Sequence, residues 1–155
     1  MKRFEDKVVL ITGAARGQGR SHAMRVADEG AHVVALDICA TFDSMNYPLA
    51  TDEDLALTVK EVEARGRRAI VVKGDVRIKA DVQKAVDQAW AELGRLDVVV
   101  ANAGVTAMSS PTPAQAFIDG VDVDLVGVLN TVGAALRTFP SVAAGRSSSR
   151  APRPA

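Results

Sequence analysis

The stretch VVLITGAARGQGRSHA, residues 8–23, limits the possible folds more than any other part of the chain. Val8 to Thr12 run without polar alternation, as in a strand buried on both faces of a parallel sheet. Gly13, Gly17 and Gly19 follow at once, spaced G-x-x-x-G-x-G, and a helical segment opens on the last of them. Here the chain must turn sharply, expose bare backbone to a ligand and pack helix close against strand. Each task excludes a side chain. A helix N-terminus at this point offers free N–H groups and partial positive charge to an anion. Glycines alone are a weak signal, since a tight turn without a ligand uses them too. Their position after a buried strand, with Asp37 closing a second strand 18 residues past Gly19, makes the signal specific.

Three further apolar runs, HVVALD (32–37), AIVVKGD (69–75) and LDVVVANAG (96–104), read as strands buried on both faces. Helical patterns lie between them. Val82, Ala85, Val86, Ala89, Trp90 and Leu93 form an apolar stripe that places Trp90 in the core, with Gly94 as a stop. Leu55, Val59 and Val62 form another, which Thr51 can cap, Asp52, Glu53 and Asp54 favour electrostatically, and Gly66 closes. Alternating strands and helices with short connections predict right-handed βαβ units in a doubly wound parallel sheet of Rossmann type, strand order 3-2-1-4. One connection, ICATFDSMNYPLA (38–50), exceeds the about 2–6 residues usual in such units. It is either a tolerated surface insertion or a lid over a ligand. Residues 111–139 read as a loop and one long helix ended by Pro140, with Gly120, Gly127 and Gly133 marking close approach of another backbone.

Asp37 bears on the ligand. A carboxylate at that strand end accepts both ribose hydroxyls of NAD and repels the 2′-phosphate of NADP, which favours NAD. Arg16 argues the other way if it holds that phosphate, or it is a solvated loop residue or a partner of Asp37. Lys+Arg and Asp+Glu are both 19 in 155 residues, so global charge points to neither nucleic acid nor a membrane surface. No apolar run approaches the roughly 18 residues of a membrane span. Glu5 and Asp6 oppose a signal peptide, and the single Cys39 suits a reducing compartment, so the expected location is cytoplasmic. His22 and His32 have no companions at metal-ligand spacing.

TGAARGQG, Asp37, GDV (74–76) and ANAG (101–104) occur in the order found in the short-chain dehydrogenase/reductase family, which the chain resembles from residue 7 to about 138. The details GQGRSHA, DICATFDSMNYPLATDEDL and GRLDVVVANAG resemble its actinobacterial branch similar to carveol dehydrogenase, coupled to the redox cofactor mycofactocin. The resemblance implies that the insertion covers bound NAD and hinders its exchange. The resemblance implies NAD as cofactor and secondary alcohols or ketones as substrates of the full-length family; it leaves a family-like homo-oligomer open. It implies contacts from Gly13, Arg16, Gly17, Gln18 and Gly19 in the loop and from Asp37 and Ile38 after the second strand. Asp75 and Val76 would hold the adenine, and Asn102, Ala103 and Gly104 would line the ribose and nicotinamide side.

The resemblance also implies a catalytic Ser and Tyr-x-x-x-Lys. The lysine lowers the tyrosine pKa, and the tyrosine takes the alcohol proton as hydride leaves for NAD. Here the one tyrosine, Tyr47, lies in the insertion with Thr51 four residues on, and the last lysine is Lys84. No catalytic residue is therefore assigned, which leaves a non-catalytic nucleotide-binding module or a non-functional product as the other readings. The family's active-site Asn falls on Asp124, while Asn130, a turn and a half away, faces elsewhere. Residues 1–139 are expected to be the N-terminal part of an NAD-binding domain, truncated after the fourth strand and its helix. Residues 140–155 hold three Arg and no acid and are expected to be a disordered basic tail, with Ser147, Ser148 and Ser149 merely polar. The loss of periodicity between about Leu136 and Pro140 predicts a shifted reading frame, with Ser and Tyr-x-x-x-Lys in another frame.

Overall fold

The computed structural model describes residues 2–106 and 113–136. The expectations for Pro140, for the 140–155 tail with Ser147 to Ser149, and for most of the loop before the long helix lie outside them. In chain order the elements are β1 (Val8–Thr12), α1 (Gly17–Asp28), β2 (His32–Asp37), α2 (Asp52–Glu63), β3 (Ala69–Lys73), α3 (Lys79–Leu93), β4 (Val98–Val100), α4 (Ala114–Val121) and α5 (Gly127–Leu136). A π-helical turn, Asp122–Val126, joins the last two helices.

The strands form one parallel sheet in the order β3-β2-β1-β4, as the sequence predicts. Val9 pairs with Val33 on one side and with Val98 on the other, so β1 is central and wholly buried. Strand alternation sends Val9, Ile11, Val33 and Ala35 to one face, where they pack with Ala23 and Ala27 of α1 and Leu55 and Val62 of α2. Val8, Leu10, Val34 and Leu36 go to the other face and meet Val82, Val86 and Ala89 of α3 and Ala134 and Ala135 of α5. This is the doubly wound arrangement. Each fully buried Val or Leu contributes about 1.5–3 kcal/mol relative to exposure, so the two apolar layers hold the sheet between its helices.

The structure corrects four local expectations. β3 is an edge strand, not one buried on both faces: Ile70 and Val72 are buried while Val71 and Lys73 face out. Trp90 ends the α3 stripe 43% exposed, because the buried face is carried by Val82, Ala85, Val86 and Ala89. The long helix runs unbroken but not regular, passing through a π turn at Asp122–Val126. Of its three glycines only Gly127 is crowded, and by a side chain: a Cβ there would lie 2.6 Å from Cγ2 of Val76. A Cβ on Gly120 would reach only ordinary contact, and one on Gly133 would enter open space. The helix ends behave as read. Thr51 forms a capping box with Asp54, and Gly94 ends α3 in the left-handed conformation.

Candidate nucleotide-binding site

The carboxyl ends of β1, β2, β3 and β4 open onto a cavity of about 350 Å³. In open α/β sheets ligands bind at this edge, where connections diverge to opposite faces. The glycine loop forms its floor. Gly13 takes φ +65°, and a Cβ on it would meet the Ala103 backbone at 2.8 Å. Gly17 takes φ +55° with nothing within 4 Å of where a Cβ would stand, so this bare backbone faces free space. Gly19 packs so tightly that a Cβ would lie 1.9 Å from the Gly13 carbonyl oxygen. No side chain caps the start of α1 and no acid lies in its first turn. That helix end therefore presents N–H groups and positive potential to the cavity.

Two buried threonines and an arginine hold the loop from behind. The Thr12 hydroxyl accepts the N–H groups of Asn102 and Ala103, each at 3.0 Å, tying β1 to the end of β4. Asn102 returns its side-chain amide to the carbonyls of Thr12 and Gly13 at 2.9 and 3.3 Å. Thr58 of α2 places its hydroxyl 3.0 Å from the Ala14 and Ala15 carbonyl oxygens and accepts from Arg20 Nε at 3.0 Å. Arg20 also pairs with Asp54 at 3.1 Å. The buried line of α2 runs through Leu55, Thr58 and Val62, with Val59 only half-buried, so the apolar stripe Leu55, Val59 and Val62 gives no sign of Thr58.

Asp37 is buried at the end of β2 and lines the cavity. Its Oδ2 accepts the Ala15 N–H at 2.9 Å and its Oδ1 the Cys39 N–H at 3.1 Å. Oδ1 also accepts the Cys39 thiol at 3.9 Å, while Oδ2 keeps a lone pair for a further donor. Backbone donors, not Arg16, thus orient this carboxylate; among the described residues Arg16 makes no ion pair with it. Burial, then the Asp37 charge, pushes the Cys39 thiol up to about 12. Cys39 is therefore a neutral packing residue at ordinary pH.

All twelve residues singled out from the sequence reach the wall of this one cavity: Gly13, Arg16, Gly17, Gln18, Gly19, Asp37, Ile38, Asp75, Val76, Asn102, Ala103 and Gly104. The rest of the wall comes from residues that the sequence does not single out one by one. Phe42, Leu49 and Ala50 come from the 38–50 insertion, Gly74 from the end of β3, Val105 from the end of β4 and Val123 from the π turn. The insertion is not a detached surface loop: Met45 and Ala50 are buried, and the Tyr47 hydroxyl accepts the Thr106 N–H at 3.0 Å. Asp75 faces the cavity with its carboxylate gripped by Arg77 at 2.7 and 2.8 Å. Asp124 sits in the π turn and accepts the Val105 N–H at 2.9 Å. Asn130 points away, to the Val76 and Arg77 carbonyls at 3.0 Å each.

Among the described residues no group of three or more His, Cys, Asp or Glu is placed to hold a metal, and no helix is long and apolar enough to cross a membrane. The short chain dehydrogenase family pattern matches residues 7–147. An uncharacterised oxidoreductase of Mycobacterium tuberculosis is 46% identical over 136 residues, 88% of this chain and 49% of that protein. The (-)-trans-carveol dehydrogenase of Rhodococcus erythropolis is 44% identical over 148 residues, 94% of this chain and 52% of the relative. The crystal structure of carveol dehydrogenase from Mycobacterium avium in complex with NAD superposes with TM-score 0.84 at 42% identity, over 89% of this chain and 51% of that one. The chain thus spans about half the length of the relatives it matches. With the glycine loop, the sheet order and the family pattern in agreement, the chain belongs to the short-chain dehydrogenase family.

Proposed function

We propose that residues 1–155 bind NAD in this cavity and form the nucleotide-binding part of an NAD-dependent oxidoreductase acting on secondary alcohols or ketones. The observation that carries the reading is the pairing of open backbone at Gly17 with the buried Asp37 carboxylate on one cavity wall. The diphosphate would lie against the loop and the α1 N-terminus, and the adenosine ribose hydroxyls would donate to Asp37. Ile38, Asp75 and Val76 would flank the adenine; Asn102, Ala103 and Gly104 would face the nicotinamide ribose. When bound, NAD supplies the hydride acceptor. The relatives named for carveol, an alcohol, and the structure with NAD support both halves of the assignment.

Residues 1–155 contain no Tyr-x-x-x-Lys sequence. The one tyrosine hydroxyl is engaged by the Thr106 N–H, and Thr51 stands where a lysine four residues on would be needed. This favours a second reading for these residues taken alone: nucleotide binding without turnover. Titrating the chain with NADH while following nicotinamide fluorescence tests the first claim. Saturable enhancement, abolished by Gly17→Trp, is expected; no enhancement overturns the assignment. Incubation with NAD and secondary alcohols should give no NADH above background. Turnover that Gly17→Trp abolishes would contradict the second reading.

A further inference from the structure

The cavity wall divides along the strand order. Asp37 and Asp75 follow β2 and β3, the glycine loop follows β1, and Asn102 to Gly104 follow β4. A dinucleotide whose adenosine ribose meets Asp37 and whose diphosphate meets the loop therefore carries its nicotinamide half toward β4. The helical segment after β4 holds three acids, Asp119, Asp122 and Asp124. Asp119 accepts from Ser44 and Gln115 and lies 3.4 Å from Arg77, whose guanidinium covers the Phe42 ring. Asp122 acts on the same arginine, so one cation offsets both acids. Asp124 differs. Its Oδ1 accepts the Val105 N–H at 2.9 Å, and among the described residues it makes no ion pair. A Cβ on Gly104 would lie 3.3 Å from that same oxygen. Gly104 and Val105 both line the cavity, so this carboxylate stands against its β4 wall.

We propose that Asp124 sets the redox-state preference of the site: its uncompensated charge, held beside the nicotinamide half, favours the oxidised nucleotide over the reduced one. The inference rests on reading the cavity as an NAD site. The oxidised nicotinamide ring carries a positive charge and the reduced ring carries none, while the rest of the two nucleotides is the same. The charged residues of the wall itself, Arg16, Asp37 and Asp75, lie toward β1, β2 and β3. They meet the shared part of the ligand and move both affinities together. A carboxylate at β4 acts on the part that differs. Asp124 is exposed, so salt partly screens its field, and the preference it creates is modest and salt-sensitive.

Binding of NAD+, NADH and ADP-ribose to the unaltered chain, Asp124→Asn and Asp124→Ala tests this. Nicotinamide fluorescence reads NADH, and its displacement reads the other two. Asparagine keeps an oxygen for the Val105 N–H and removes only the charge. In Asp124→Asn the affinity for NAD+ relative to NADH should fall roughly three- to tenfold, the order expected of one partly screened charge. ADP-ribose, which lacks the nicotinamide, should bind as before. Asp124→Ala should show the same fall in the ratio, whatever it does to the affinities together. Raising the salt to about 0.5 M should shrink the difference between the unaltered chain and Asp124→Asn. An unchanged ratio in Asp124→Asn, an equal change in ADP-ribose binding, or a difference indifferent to salt would overturn the role. Loss of all three ligands in both variants would mark a structural residue and overturn it too. If the unaltered chain binds none of the three, the cofactor reading itself fails and this inference falls with it. Binding of both nucleotides with a ratio that ignores the charge at 124 refutes this inference alone.

Discussion

Gly17 and Gly19 flank Gln18 and would fail for different reasons if given a side chain. At Gly19 a methyl would collide with the Gly13 carbonyl, so Gly19→Ala should destabilise the fold by ~1–3 kcal/mol or more through overpacking. At Gly17 there is room, and Gly17→Ala bears only the left-handed backbone penalty of about 1–2 kcal/mol. Urea midpoints of the two variants check this ranking; a Gly17 variant less stable than the Gly19 one would refute it. Cys39 gives a pH signature. An unfolded cysteine ionises near pH ~8.5, whereas the folded thiol, raised by burial and Asp37, holds its proton to about 12. Across that window the folded state binds more protons, so this group lowers stability as pH rises and contributes no slope below it. Cys39→Ser should flatten the decline in urea midpoint between pH 8 and about 10. Equal slopes in both proteins would show that the thiol is not shielded.

At the scale of elements, the capping box on α2 matters because that helix carries Thr58, the brace of the glycine loop. Thr51→Ala should lower stability by ~1 kcal/mol and loosen the loop, seen as weaker NADH binding; a thermal midpoint equal to that of the unaltered protein would contradict the role. The elements most legible in sequence were those whose local chemistry and tertiary setting agree. β1, β2 and their glycine loop read correctly because continuous burial and missing side chains leave few alternatives. β3 misled because its first four residues, AIVV, are all apolar, although only Ile70 and Val72 of the strand are buried. Trp90 misled because a helical stripe shows its period but not how wide the covering layer is. The 38–50 insertion was only half legible. Its length showed that it was unusual, but the partners that seat it, Asp119, Arg77 and Thr106, lie far along the chain and have no local signature. The π turn was hidden in a pattern that a straight helix satisfies equally well.

At the scale of the molecule, β4 pairs only with β1 among the described residues, and its three valines are half-buried. The last helices leave Phe117, Leu125, Leu129 and Leu136 each about two-thirds exposed. Apolar surface and an unpaired strand edge together favour association. Sedimentation of residues 1–155 should therefore show concentration-dependent self-association, reduced by Leu125→Glu with Leu129→Glu; a clean monomer at high concentration would contradict this. The central claim is that the cavity at the carboxyl end of the sheet is an NAD site whose choice of nucleotide is set by Asp37. That carboxylate is fixed by the Ala15 and Cys39 N–H groups and cannot swing away from a 2′-phosphate without breaking both bonds. Calorimetric titration of the chain with NAD(H) and NADP(H), repeated on Asp37→Ala, tests it most directly. Tighter binding of NAD(H), with the preference relaxed in the variant, is the predicted result. Equal or tighter binding of NADP(H) by the unaltered chain would contradict it.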